Sequence, residues 1–230
     1  MDPSLVAELK ARDRERWLST LWAPAAARPA LVALHTYDVE QQRIVAEARE
    51  PLLAEIRLAW WREQLELLSQ GRLAPPQPLL RALRHKARPR AVDLGALTAL
   101  EEGFLPLLTP GPLDVLALAR ARGEPLFRAL LTAILDRPLT AMEAADAGAA
   151  GTRFALARLW RSGWGTAGAR IAAAGRPAFP PPATGPLPAA LRVLDALAAD
   201  DAARLEAGLA LAPAGSAGRQ WRMMKAALTG

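Results

Sequence analysis

The stretch EPLLAEIRLAWWREQLELLSQG, Glu50 to Gly71, places a proline in its first turn and a glycine at its end, and between them apolar residues recur at helical spacing. Leu53, Ile56, Trp60 and Leu67 form one stripe, and Arg57, Trp61, Leu65 and Leu68 form another. A helix apolar over that much of its circumference is expected to be central. Arg57 precedes Trp60 and Trp61 by three and four positions, within reach for its guanidinium to stack on an indole. The tryptophan pair reads either as core packing or as the lining for a greasy chain.

The same punctuation organises the rest of the chain. Asp2 and Pro3 read as the cap and first residue of a helix running to about Thr20. Pro24 opens a second, to about Ala48, with Leu31, Leu34, Val39, Ile44 and Val45 inward. After the break APPQP at 74–78, a short basic helix covers Leu79 to Ala87 and another runs from Asp93 to about Leu105. Beyond the turn TPGP, Thr109 to Pro112, a long helix reaches Asp136 with a weak point at Gly123 and Pro125. Thr140 and Glu143 form a capping box for the next helix, to about Ser162. The proline-rich run Gly175 to Pro188 is a loop, and residues 189–230 hold two further amphipathic helices. Apolar residues make up 52% of the chain and alanine and leucine dominate, so the expectation is an all-α, single-domain bundle spanning residues 1–230.

Composition narrows the chemistry. The chain has no cysteine, and only His35 and His85 carry imidazole, which excludes thiolate sites and histidine-rich zinc sites. The net charge of +6 comes almost entirely from arginine. Its densest run, RALRHKARPR at 81–90, has no aromatic interleaved to stack on bases, so it reads as a solvated helix end, and no nucleic-acid partner is expected. An anionic membrane surface or a diphosphate-bearing ligand answers the same charge. No run of about 18 uncharged apolar residues occurs, and the N-terminus lacks the apolar core of a signal peptide. The expected location is cytoplasmic, with peripheral contact at the inner face of the membrane.

Within HTYDVEQQRIVAE, His35 to Glu47, helical spacing aligns Glu40, Arg43 and Glu47, with the arginine between two acids. A magnesium clamp needs carboxylates on one face facing phosphate oxygens, whereas here a cation fills the gap. The series reads as an ion-pair ladder rather than a metal site.

Taken together, RWLSTLW through EIRLAWWREQLE, Arg16 to Glu66, resembles the squalene/phytoene synthase family, and AGRPAFP, Ala174 to Pro180, is similar to that family's GR-x-YLP stretch. The resemblance implies an isoprenoid synthase type of helical bundle around a central cavity. It also implies, for the family's enzymes, the joining of two prenyl diphosphates with magnesium held by two aspartate-rich motifs. The first motif falls on QRIVA, where Gln42, Arg43 and Ala46 stand in place of aspartates. The second falls on RSGWGT, where Arg161 matches the family's arginine but Ser162 and Thr166 replace aspartates, and no acid lies between Asp146 and Asp195.

Both motifs are therefore vacated, so the expectation is no catalytic residue, no metal and no cofactor. Tyr37, Arg57, Trp60, Trp61, Arg158 and Arg161 are the residues expected around the cavity or a ligand, with an isoprenoid or a lipid as the candidate occupant. The chain is most similar to the family's non-catalytic branch, which includes the mitochondrial complex I assembly factor with a phytoene-synthase-like domain. That likeness implies respiratory complex subunits or assembly factors as protein partners. The alternative is a prenyltransferase in which Arg43, Arg57, Arg158 and Arg161 grip a diphosphate, and magnesium enters only there.

Overall fold

Prolines and acidic caps set the turns of the chain in the computed structural model, which describes residues 2–161, 164–175, 178–183 and 185–229. Asp2 caps α1 (Pro3–Arg12), its carboxylate accepting from the Ser4 N–H at 3.0 Å. The helix expected to reach Thr20 instead breaks at Asp13, which leaves the helical region and caps α2 (Arg14–Thr20) by accepting from the Arg16 N–H. An aspartate competes for backbone donors and so favours a cap over a helix interior. Helix α3 (Arg28–Ala46) starts at Arg28, with Pro29 in its first turn, rather than at Pro24, and α4 (Pro51–Ser69) follows.

The short basic helix is α5 (Pro78–Ala82), which passes into a π-helical turn at Leu83–Ala87. The segment expected as a helix from Asp93 is a 3-10 helix, Ala96–Gly103. Its last residue explains its closeness to the next element: a Cβ on Gly103 would strike the Arg122 side chain and lie 2.9 Å from the Leu118 carbonyl. Asp114 caps α6 (Val115–Leu135), three residues later than the expected start at Pro112. Helix α7 (Ala141–Arg161) opens on the reciprocal Thr140–Glu143 capping box. Two short pieces, a 3-10 turn at Gly165–Ala167 and α8 (Gly168–Ala173), precede the proline-rich stretch. Helices α9 (Ala189–Glu206) and α10 (Ala217–Leu228) complete the chain. Among the described residues there is no strand, so the all-α reading holds.

Gly123 and Pro125 do not interrupt α6. Gly123 instead marks where α6 and α7 touch: a Cβ there would collide with the Gly151 carbonyl, and one on Gly151 with the Gly123 carbonyl. Two glycines facing each other let the backbones meet, and α6 with α7 is the most extensive helix pair of the fold.

The central helix is α3, not α4. Every residue from Ala30 to Val39 is buried, so α3 is enclosed on all sides. Helix α4 lies at the edge with Ala54, Leu58, Trp61, Leu65 and Leu68 inward, while Leu52, Leu53, Ile56 and Trp60 face out. The two apolar stripes of α4 share a surface, but one helix at the margin of a bundle has room to bury only one of them. No helix of the described residues is long and apolar enough to cross a membrane.

Candidate functional site

Where α3 emerges from the core, Gln42, Arg43 and Ala46 line a groove of about 210 Å³ together with Arg12, Asp13 and Arg158. A neighbouring groove of about 440 Å³ shares Arg12, Gln42 and Arg158 and adds Arg161 from the end of α7. The stretch read as the second motif returns to the same place: Gly165 takes φ +54 and sits so close that a Cβ would lie 2.8 Å from the Ala46 carbonyl. Thr166 follows it in an exposed turn, and Ser162 lies outside the described residues. The two segments read as vacated motifs thus face each other across one opening.

Every cation at this opening is matched to a carboxylate. Arg43 donates to Glu40 at 2.7 Å and to Glu47 at 3.3 Å, and burial opposes but does not overcome the Glu40 hydrogen bonds that raise its already high pKa further. Arg158 pairs with Asp13 at 2.8 Å. Arg161 holds both carboxylate oxygens of Asp201 and donates to the Ala212 carbonyl at 2.7 Å. Arg57 is half-exposed and 3.7 Å from Glu40, and it stacks on neither tryptophan among the described contacts.

The residues present do not fit magnesium. The nearby carboxylates, Asp13, Glu40 and Glu47, are each engaged by an arginine, and no group of three or more His, Asp or Glu side chains among the described residues is placed to hold a metal ion. Magnesium bound through carboxylates and phosphate oxygens would have to displace those guanidiniums first.

Behind the opening, where the resemblance implies a central cavity, the interior holds charge and rings. Arg16 donates to Asp38 at 2.6 Å and Arg122 donates to the same carboxylate at 3.3 Å, with all three side chains nearly inaccessible. The Arg122 guanidinium lies 4.3 Å from the centre of the Phe104 ring and 5.1 Å from that of Trp164, and Arg16 lies 5.1 Å from that of Phe154. Burial works to raise the Asp38 pKa, but the Arg122 and Arg16 charges win and hold it at about 2. His35, one turn before Val39, is buried with its Nδ1 unpartnered among the described residues; burial first, and then the Arg16 charge, push its pKa down to about 3.

Tyr37, Trp61 and Trp60 form a chain of edge-to-face rings, 5.8 and 5.1 Å between centres, running from the core to the surface. Burial, and then Asp38 and Glu101, push the Tyr37 hydroxyl pKa up. These rings contact one another, and Trp60 ends at the exposed side of α4.

The squalene/phytoene synthase family model matches residues 9–162, two thirds of the chain, from the end of α1 to just past α7. The chain belongs to the squalene/phytoene synthase family. It matches no curated protein and no solved structure. Sequence reasoning missed Asp13, Arg16, Asp38 and Arg122 as neighbours of this opening. A signal existed for one of them: Asp38 shares a helical face with Leu31 and Leu34, and an acid in a buried stripe requires a cation.

Proposed function

We propose that this squalene/phytoene synthase family member is non-catalytic and assists assembly of a membrane respiratory complex, complex I, by binding its subunits or assembly factors at the inner face of the cytoplasmic membrane. The observation that carries the reading is the pairing at the mouth of the old site: Arg43 lies between Glu40 and Glu47, and Arg158 lies on Asp13, where a synthase needs free carboxylates for metal. Ionising a diphosphate requires positive charge that follows the departing oxygens. Arginines already bound to carboxylates in cis would each have to give up a partner to supply it.

The buried cluster of Asp38, Arg16 and Arg122 supports this reading, since it puts charged groups rather than an apolar lining at the centre of the bundle. A protein-binding role also gives a use to the exposed apolar side of α4, at Leu52, Leu53 and Ile56.

The deciding experiment deletes the gene and measures assembled complex I beside C30 and C40 hydrocarbons. Loss of the assembled complex with hydrocarbons unchanged is the expected result. Loss of a hydrocarbon, or a coupled product formed by the purified chain from magnesium and farnesyl or geranylgeranyl diphosphate, would restore the prenyltransferase reading.

A further inference from the structure

Helix α10 turns its apolar stripe away from the protein. Its inward face is Arg219 and Met223, whereas Trp221, Met224 and Leu228, at helical positions i, i+3 and i+7, point outward. Trp221 is 63% exposed and Leu228 71% exposed, so most of their apolar surface is left in water. The stripe does not stand alone. Trp22, at the end of α2, and Leu18 join Trp221 and Met224 around an open groove of about 410 Å³.

The charges beside this surface are net positive. Helix α10 contains no acidic residue, and Lys225 and Arg222 flank the stripe on one side. Lys225 makes no ion pair among the described residues. Arg222 meets Asp200 at 2.8 Å, but Asp200 also serves Arg204, so the trio keeps a net positive charge. On α2 the only acid, Glu15, is buried and bound to Arg219, while Arg14 is exposed one turn before Leu18. None of the side chains lining the groove is acidic.

We infer that the face formed by α10 and the end of α2 docks onto an anionic phospholipid bilayer surface. Two tryptophans with methionine and leucine beside a net excess of cations match what an interfacial helix presents: apolar groups for the acyl boundary and ammonium and guanidinium groups for the headgroups. Charge sets this face apart from the exposed apolar face on α4, where Glu55, Glu63 and Glu66 mix with Arg57 and Arg62. The acids there would be repelled by anionic headgroups. The inference deepens the membrane part of the reading above and rests on it.

The test is co-sedimentation of the full chain with vesicles of equal parts phosphatidylglycerol and phosphatidylcholine, against vesicles of phosphatidylcholine alone. The wild-type chain is expected to partition onto the anionic vesicles and to be released by salt. Trp221→Glu with Met224→Glu should lower that partition by at least about ten-fold at unchanged helix content, because both side chains are exposed. Lys225→Ala should lower it by about five-fold on anionic vesicles. Leu53→Glu with Ile56→Glu on α4 should leave it unchanged. A wild-type chain that ignores anionic vesicles removes the membrane reading as well as this surface. Binding that survives the Trp221 and Met224 changes, or that falls equally with the α4 changes, overturns the surface alone. Sedimentation velocity showing a dimer that the α10 changes dissociate would also overturn it, by assigning the face to a second copy of the chain.

Discussion

Arg16 on α2 and Asp38 on α3 meet at 2.6 Å with neither side chain reaching solvent. This cluster sets three guanidiniums, the buried Arg16 and Arg122 and the partly buried Arg158, against two carboxylates, Asp38 and Asp13. The excess positive charge is partly accommodated by the ring faces over which Arg122 and Arg16 lie. This cluster joins α2, α3, α6 and α7 at one point, so the fold is organised around a polar centre where the resemblance implies a ligand cavity.

Removing the shared carboxylate exposes how the cluster is balanced. Asp38→Ala leaves Arg16 and Arg122 buried without their acid and is expected to destabilise the chain by about 3–5 kcal/mol, read from denaturant unfolding. Replacing the group together, with Asp38→Leu, Arg16→Met and Arg122→Met, removes the charges and their desolvation at once and should recover most of that loss. A triple variant no more stable than the single one would show that the ion cluster adds net stability of its own.

Gly123 and Gly151 have no room for a methyl group, since each would drive it into the other's carbonyl. Gly151→Ala should separate α6 from α7 and cost about 1–3 kcal/mol or more, although alanine is the better helix former. Gly168, at the start of α8, has open space around its Cβ position and an ordinary helical backbone. Gly168→Ala is expected to be neutral or to raise stability by a few tenths of a kcal/mol, and never to match the loss at Gly151. Thermal unfolding of the two variants side by side measures the contrast.

Arg219 holds α10 to the body of the fold, donating to Glu15 at 2.6 and 2.8 Å and to Asp201 at 2.7 Å. Apart from Met223 it is the only buried residue of that helix. Arg219→Met removes the cation from two buried acids, and α10 should detach before the rest unfolds. Hydrogen exchange across 217–228 is expected to rise by orders of magnitude with α3, α6 and α7 still protected. Uniform exchange across all helices would show instead that α10 is integral to global folding.

Local signals were legible in the sequence, and distant ones were not. The capping box at Thr140 and Glu143 and the cap at Asp2 follow from residues three positions apart or fewer, and both form as read. The ladder of Glu40, Arg43 and Glu47 was equally local. Asp38 finds its partners 22 and 84 positions away, where no periodicity points. The misplacement of α4 has a different cause. Two largely apolar stripes on one helix look alike in sequence, but which of them is buried depends on neighbours the stripe does not encode. Gly123 reads as a weak point in its helix because glycine lowers helix propensity, yet its value here lies in contact with a helix that begins eighteen residues later.

His35 supplies a stability signature at mild acidity. Its folded-state pKa is depressed to about 3 by burial and by the Arg16 charge, whereas an unfolded histidine titrates near 6.5. Between those values the unfolded chain binds a proton that the folded chain refuses. Stability therefore rises with pH across this window and is lost as pH falls below about 6.5, with a slope of up to about 1.4 kcal/mol per unit from this residue. Asp38, held at about 2, stays ionised in the folded state through the window and contributes its loss only at lower pH, below the unfolded aspartate value of about 4. The two are thus separable. Melting temperature should decline from pH 6.5 to pH 4.5 in the wild-type chain, and His35→Leu, which cannot charge, should flatten the decline over that interval. An undiminished slope in the variant would mean that another group takes up the proton and that His35 ionises in the folded state at its ordinary pKa.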